Sequence, residues 1–132
     1  MKPKIDVGNV VLCDFVGLGA NNKHVLLNVF SGDVVVPVFP ANLGFGLYIE
    51  ILPAKIDGAL GVVHLSVLLK DTQVISGQAQ TNIVAGSPGV IVIPYFQIEV
   101  LEETTISVII SSDEYEDTMI LSKKIMKSDS LK

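Results

Sequence analysis

The sequence contains no arginine and no tryptophan, so two common elements of nucleic-acid recognition are missing. All nine basic residues are lysines, which lack the planar fork that binds a phosphate or a guanine through two hydrogen bonds. The few aromatic residues are scattered along the chain, so no platform for base stacking is predicted. The net charge is −5. We therefore expect no nucleic-acid partner.

Cysteine is nearly absent as well. The single Cys13 excludes an intramolecular disulfide, and we interpret it as a small buried hydrophobic residue. The longest apolar candidate for a membrane span, residues 34–49, contains Pro37 and Pro40 and is shorter than the ~20 residues that a spanning helix needs. No signal peptide is recognisable at the N-terminus. A cytoplasmic location without a membrane span is expected.

Charged residues are also scarce, at 17% of the chain against a usual value of about 25%. Hydrophobic residues make up 49%, which excludes a disordered chain. A length of 132 residues is typical of one domain that can build its core without disulfides or metals. We expect a single domain over residues 1–132, with frayed ends at 1–5 and 127–132.

Short apolar or alternating runs, separated by Gly, Pro, Asn or Asp, fill most of the chain. No long window shows the periodicity of a helix, and a spacing of about 8–12 residues between turns is typical of β-sandwiches and barrels. The fold class predicted is therefore all-β, an antiparallel immunoglobulin-like β-sandwich of about seven to nine strands. The predicted strands lie near residues 8–17, 23–31, 33–39, 45–53, 61–71, 73–84, 90–101, 104–112 and 117–126.

Alternation assigns faces to two of these strands. Residues 63, 65, 67 and 69 form an apolar face, while His64, Ser66 and Lys70 are predicted to point outward. Residues 106, 108 and 110 repeat this pattern. By contrast, residues 34–36 and 91–93 are apolar on both faces, which favours a central position or cover by another layer.

The residues that could support catalysis or metal binding do not form a recognisable motif. Gly17 and Gly19 follow a predicted strand, but a further strand follows them, so a turn is favoured over a phosphate loop. His24, His64 and Cys13 lack the paired spacing of metal ligands, and no cofactor is predicted. His64 and Ser66 share a strand face at ~7 Å, which is poor geometry for proton transfer. An enzyme that uses His64 or His24 stays an alternative.

The acidic residues gather in two predicted hairpin connections. Carboxylates at the loop ends of a sandwich can bind calcium, although the spacing does not match a calcium loop. A calcium-binding or carbohydrate-binding module is therefore a second alternative to a pair of solvated loops. The residues concerned are Glu99, Glu102, Glu103, Asp113, Glu114, Glu116 and Asp117.

The most informative absence is local, because residues 72–98 contain no charged side chain. Central regions of protein interfaces are depleted in charge and tolerate neutral groups that form hydrogen bonds. Two interpretations stay open: a subunit or partner contact, or a strand pair buried within the domain. The candidate interface residues are Gln73, Gln78, Gln80, Asn82 and Gln97.

Three segments, 12–16, 26–32 and 39–51, carry a resemblance to a known family. They contain a first strand with an acidic residue, a strand that ends near Val29-Phe30, and a Phe-Pro pair that leads into an extended strand. This pattern resembles a bacterial family of small, uncharacterised β-sandwich proteins, although Asn28 stands where the family pattern has glycine. The resemblance implies a sandwich of unknown function and no catalytic residues.

The function that these observations favour is a non-catalytic binding or structural interaction module. Small β-sandwiches often present loops or a sheet face to partners. The uncharged stretch predicts self-association as a homo-oligomer, or contact with another protein.

Overall fold

A computed structural model describes residues 4–52, 62–80, 89–113 and 115–128. These residues are mostly β-strand, as the sequence predicts, with one short 3₁₀ turn at Ala20–Asn22. The strands are β1 (Val7–Cys13), β2 (Phe15–Leu18), β3 (His24–Leu27), β4 (Val34–Val36), β5 (Ala41–Ile51), β6 (Val62–Leu69), β7 (Thr72–Gln80), β8 (Gly89–Val100), β9 (Thr104–Ser112) and β10 (Tyr115–Lys127). The described residues contain no helix that is long and apolar enough to cross a membrane.

The strands form three sheets, of five, three and two strands. The five-stranded sheet has the order β4-β10-β9-β6-β7, the three-stranded sheet the order β1-β5-β8, and β2 pairs with β3 in a separate ribbon. All strand pairs are antiparallel except β4 and β10, which are parallel. The expected all-β class is confirmed, and the described residues form ten strands rather than about seven to nine, with β4–β10 as the one pair among them that departs from antiparallel pairing. The extra strand arises because the predicted strand 8–17 is interrupted at Asp14.

The two larger sheets share one hydrophobic core. The predicted alternation in β6 and β9 is confirmed, since alternate side chains of both strands are buried in this core. Fully burying one aliphatic or aromatic side chain contributes about 1.5–3 kcal/mol, so this core is the main source of stability. The side chains that β5, β6 and β9 bury there are Phe45, Leu47, Ile49, Ile51, Val63, Leu65, Val67, Ile106, Val108 and Ile110.

Of the two alternatives predicted for the apolar triplets, a central position is wrong, whereas contact with another layer holds for β8, against which the ribbon packs. Both strands with valine-rich or isoleucine-rich triplets, β4 and β8, end their sheets rather than lying centrally. Val34 and Val36 reach the core, but Val35 between them is 43% exposed. Because one face of an edge strand can pack on the core while its neighbour faces solvent, an apolar triplet does not by itself identify a central strand.

The prediction of frayed ends falls mostly on residues outside the described ranges and stays a prediction, whereas the end residues that the structure describes contact the rest of the fold. Ile5 is only 3% exposed and belongs to the core. Lys4 forms a parallel bridge with Glu116, and their side chains form an exposed ion pair of 3.9 Å. Lys127 is the last residue of β10. The bridge at Lys4 joins the segment before β1 to β10 of the five-stranded sheet.

The β2–β3 ribbon lies across the outer face of the three-stranded sheet. A Cβ on Gly46 of β5 would stand 2.8 Å from the Val16 backbone nitrogen, so the ribbon backbone approaches β5 closely at this glycine. Along the ribbon, the His24 ring contacts Tyr48 edge-on at 5.5 Å between ring centroids. Val16, only 2% exposed, is held against the sheet. The ribbon thus covers part of one outer face.

Hydrogen bonds at the base of the ribbon hold its strands together. The Asp14 backbone N–H donates to the Leu27 carbonyl at 2.9 Å, and the Phe30 N–H donates to the Leu12 carbonyl at 2.9 Å. The Asn28 side chain donates to the Asp14 carboxylate at 2.9 Å. Asn28 has a φ of 54°, in the left-handed region that glycine and asparagine tolerate best.

Candidate functional site

Strand β7 is the exposed edge of the five-stranded sheet. It pairs with β6 on one side, and within the described residues no strand lies on its other side. Of its side chains, Ile75 and Ala79 are half-buried and pack against the core. The neighbouring Val74, Ser76 and Gln78 are exposed. Since every second residue of an edge strand turns its backbone N–H and C=O outward, β7 offers unpaired hydrogen-bonding groups to a partner strand.

The surface beside this edge is neutral. Strand β7 contains no charged residue, and the outward side chains of β6 and β9 continue the same pattern across the sheet. We call this surface the neutral face. Its members on β7, β6 and β9 are Val74, Ser76, Gln78, His64, Ser66, Leu68, Ser107, Ile109 and Ser111. Ser107 points outward but is only 5% exposed.

The other edge strands of the two larger sheets carry features that hinder pairing. Strand β8 contains Pro94, which has no N–H to donate, and its pairing with β5 shifts register there. Strand β4 has only three residues and is followed by Pro37. Strand β1 shifts register between Val7 and Val10. Short strands, prolines and bulges are the usual protection of sheet edges.

Strand β7 has less protection than these strands. It contains neither proline nor charge, and its register shifts once, between Gln73 and Ile75. From Ile75 to Gln80 its pairing with β6 is regular. This regular, neutral part of β7 is the feature of the described chain best suited to bind another strand.

The predicted interface residues do not form one surface. Gln73 and Gln78 lie exposed on β7, and Gln80 ends that strand. Gln97 lies on β8 in the other sheet, where its side chain donates to the Tyr95 hydroxyl at 2.9 Å. Since the two sheets pack through one core, Gln97 and Gln78 are on opposite outer faces. Asn82 lies outside the described residues.

The histidines and serines do not assemble a catalytic group. His64 is half-buried on β6, opposite Gln78 of β7 and Ser111 of β9. Ser66 lies opposite Ser76 and Ile109 instead. Among the described residues, no hydrogen bond joins His64 to a serine or to a carboxylate, so a nucleophile, base and orienting acid are not brought together there.

The acidic residues are split between the two ends of β9. Glu102 and Glu103 precede this strand and Asp113 follows it, so they are separated by its nine residues, or roughly 30 Å at ~3.4 Å per residue. In the part of the chain that the structure describes, no group of three His, Cys, Asp or Glu side chains could hold a metal ion. Glu114 lies outside the described residues.

A shallow cleft of about 420 Å³ lies beside the first of these loops. One Glu103 carboxylate oxygen in it accepts the Lys127 backbone N–H at 2.9 Å, which fixes the loop to the end of β10. The cleft residues are Phe39, Leu101, Glu102, Glu103 and Lys127.

Cys13 is fully buried, which confirms its interpretation as a core-like residue. Its Sγ lies 3.4 Å from the Phe15 carbonyl oxygen and 3.6 Å from the Gly46 carbonyl oxygen. Burial raises the pKa of the thiol above its usual value, and the nearby Asp14 carboxylate adds to this rise. A reactive thiolate is therefore disfavoured at neutral pH.

Sequence reasoning missed the exposed apolar side of the ribbon. Phe15 lies opposite Leu27 in register, and these side chains are 41% and 49% exposed. Val25 extends the patch and is 47% exposed. The available signal in the sequence was Asp14, a polar residue that divides the predicted strand 8–17. The residues after Asp14 begin a separate strand, which forms the ribbon.

Comparison of the chain with protein-family models, with curated protein sequences and with solved structures gives no significant match in any of the three.

Proposed function

We propose that the protein is a non-catalytic interaction module that associates with a second copy of itself through the edge strand β7. The observation that carries the proposal is the regular, neutral part of β7 from Ile75 to Gln80, whose outer side is paired with no strand of the described residues. A strand pair between copies would satisfy the outward backbone groups of this edge.

Charge favours a second copy as the occupant. The chain has a net charge of −5, so two copies repel each other over most orientations. A contact centred on β7 and the neutral face brings no like charges directly opposite each other, whatever the register. A strongly charged partner peptide would find no complementary charge on this strand.

The proposal includes an immunoglobulin-like arrangement of the two larger sheets. Its support is the strand order: β1-β5-β8 corresponds to strands A-B-E, and β10-β9-β6-β7 to strands G-F-C-C′ of such a sandwich. The β2–β3 ribbon and β4 are then insertions between the first two sandwich strands. The resemblance to the family of small bacterial sandwich proteins stays a hypothesis that agrees with this order.

The mass in solution tests the proposal. Light scattering should show the wild-type mass rising from 14.1 kDa toward twice that value as concentration increases. The double variant Ser76→Lys/Gln78→Lys should stay monomeric, because two copies would bring four lysines together at the edge. Circular dichroism verifies that this variant is folded.

Two lysine variants serve as matched controls. Gln97→Lys places the same charge on β8, and Leu27→Lys places it on the ribbon; both should associate like the wild type. A wild-type mass of one chain at every concentration would refute self-association. Dissociation by Leu27→Lys but not by the β7 variant would move the contact to the ribbon and refute its assignment to β7.

A further inference from the structure

We infer that the two copies pair through β7 in an antiparallel arrangement with Gly77 opposite Gly77 of the second copy, so that their five-stranded sheets join into one sheet of ten strands. This inference rests on the proposed function, because it specifies the geometry of the same contact.

Two-fold symmetry restricts how a strand can pair with its own copy. Residues directly opposite each other in an antiparallel pair point to the same face, and the faces alternate along each strand. The position numbers of two opposite residues must therefore differ by an even number. One residue, and only one, then lies on the two-fold axis opposite itself. The identity of this residue therefore fixes the register in which the two β7 strands pair.

Gly77 is the glycine of β7 that the described chain does not explain. A Cβ built on it would have no atom of the described residues within 4 Å, and its φ lies outside the left-handed range. Neither a tight approach nor a turn thus requires glycine there. Glycine inside a strand lowers stability by roughly 0.5–1 kcal/mol relative to alanine, and it often marks a place where another backbone comes close.

Two other strand glycines, Gly17 and Gly44, each lie beneath an aromatic ring of the same protein. The Phe15 ring lies over Gly17, with Cε1 3.2 Å from the position of a Cβ. The Tyr95 ring occupies the corresponding space on Gly44. Each glycine makes room for a larger neighbouring side chain. At Gly77 the described residues supply no such neighbour.

The Ile75 side chain of a second copy can supply the neighbour that Gly77 lacks among the described residues. With Gly77 on the axis, Ile75 of each copy lies opposite Ala79 of the other, on the face that packs against the core. Ile75 is then a diagonal neighbour of the opposite Gly77, a distance that long side chains span. Both apolar side chains are half-buried in the single chain. The pairing covers their exposed parts and the glycine together.

The two neighbouring registers fit less well. With Ser76 on the axis, Ile75 would lie opposite Gly77, but the next pairs would fall in the register shift between Gln73 and Ile75. With Gln78 on the axis, Ala79 would lie opposite Gly77, and Ile75 would extend beyond the regular strand toward residue 81. With Gly77 on the axis, the pairs fall within the part of β7 that has regular register. The register shift between Gln73 and Ile75 then marks where the contact ends. Pairing over so few residues is typical of interfaces below about 1,200 Å², so the association is expected to be reversible.

Disulfide formation between copies tests the axis position. The variant Gly77→Cys should form a covalent dimer with itself on mild oxidation. A mixture of Ser76→Cys with Gln78→Cys should form a mixed disulfide in preference to either homodimer. Adjacent pairs alternate between narrow and wide spacing, with Cα atoms about 4.5 and 5.5 Å apart, so one of these two tests samples the narrow spacing.

The controls are the wild type, whose Cys13 is buried, and Gln73→Cys, whose exposed thiol lies beyond the register shift. Neither should form a dimer at a comparable rate. Light scattering of each variant before oxidation shows whether the chain self-associates, and the cross-links then show which positions of β7 face each other. A reversible wild-type dimer without cross-linking at 77 or between 76 and 78 overturns the register and leaves the proposed function standing. Equal cross-linking at 73 and 77 also overturns the register. A wild type that is monomeric at all concentrations, with no cross-link in any variant, overturns both.

Discussion

Strands β7 and β8 follow each other in the sequence, yet they differ as sheet edges. Strand β8 ends the three-stranded sheet with Pro94 in its middle and is contacted by the ribbon. Strand β7 ends the five-stranded sheet without proline, charge or cover in the described chain. The two strands share their lack of charge up to Ile98, so neutral composition alone does not make an interface. Under the proposed function, the combination of neutrality with an accessible backbone distinguishes β7 as the contact strand.

The same difference is visible in the glycines of the two regions. Gly46, which β8 and the ribbon enclose, has three backbone atoms within 2.9 Å of where a Cβ would stand: the Val16 nitrogen, the Phe15 carbonyl carbon and the Pro94 oxygen. Gly77 of β7 faces open space within the described residues. Contacts among the described residues require glycine at position 46 but not at position 77.

The largest effect should come from filling these two positions. Gly46→Ala should lower the free energy of unfolding by about 2–3 kcal/mol, because backbone atoms must move to admit the methyl group. Gly77→Ala should leave the stability of the single chain unchanged or raise it by up to about 1 kcal/mol. Urea unfolding at a concentration where the chain is monomeric measures both. Equal destabilisation by the two variants would remove the contrast between the regions.

A second contrast concerns thiol reactivity. Cys13 is buried beside the ribbon with a raised pKa, so a thiol reagent should reach it only after local opening. A cysteine introduced at Gln78 is exposed on β7 in the monomer. At neutral pH the thiol at 78 should react at least about a hundredfold faster than Cys13, which corresponds to a local opening free energy of ~3 kcal/mol. Similar rates would mean that the ribbon opens readily.

The pH dependence of this labelling follows from the sign of the pKa shift. Because burial raises the pKa of Cys13, the protonated thiol favours the folded state, and this contribution is present at neutral pH. Stability falls as the pH rises above the pKa of the unfolded thiol toward that of the folded one. The rate of Cys13 labelling should therefore continue to increase at pH values where the rate at position 78 has already levelled off. A pH series of the two rates would show this difference. Parallel profiles would contradict the assigned cause.

A smaller effect is expected from removing the proline that interrupts β8. Pro94→Ala restores a backbone N–H at the edge of the three-stranded sheet and makes β8 resemble β7 more closely. The variant should associate more strongly than the wild type, with a dissociation constant lowered by up to about fivefold, or ~1 kcal/mol. Sedimentation equilibrium compares the two constants. Unchanged association would show that the ribbon, rather than Pro94, protects this edge.

The strands and their inward faces were predictable because alternation is local. The pattern of Val63, Leu65 and Val67 predicts one buried face, and the structure confirms it. The place of each strand in a sheet depends on distant pairing, which no local pattern encodes. The apolar triplet 34–36 could thus be mistaken for a central strand, although it pairs only with the end of β10.

The candidate site was predictable only in part. The absence of charge draws attention to β7, where Gln73 and Gln78 are exposed. It also includes Gln97, which the structure places in the other sheet. A neutral stretch can cross from one sheet to the other without any sign in its composition. The ribbon escaped prediction for a related reason, because Asp14 is a single polar residue within an apolar run.

Amide hydrogen exchange at increasing protein concentration tests the role of β7 most directly. The outward amides between Ile75 and Gln80 should exchange more slowly as the concentration rises, while the amides of β8 and of the ribbon should keep their rates. This result would place the contact between copies at the edge of the five-stranded sheet. Exchange in β7 that does not depend on concentration, or equal slowing in β8, would contradict the claim that β7 is where the protein associates.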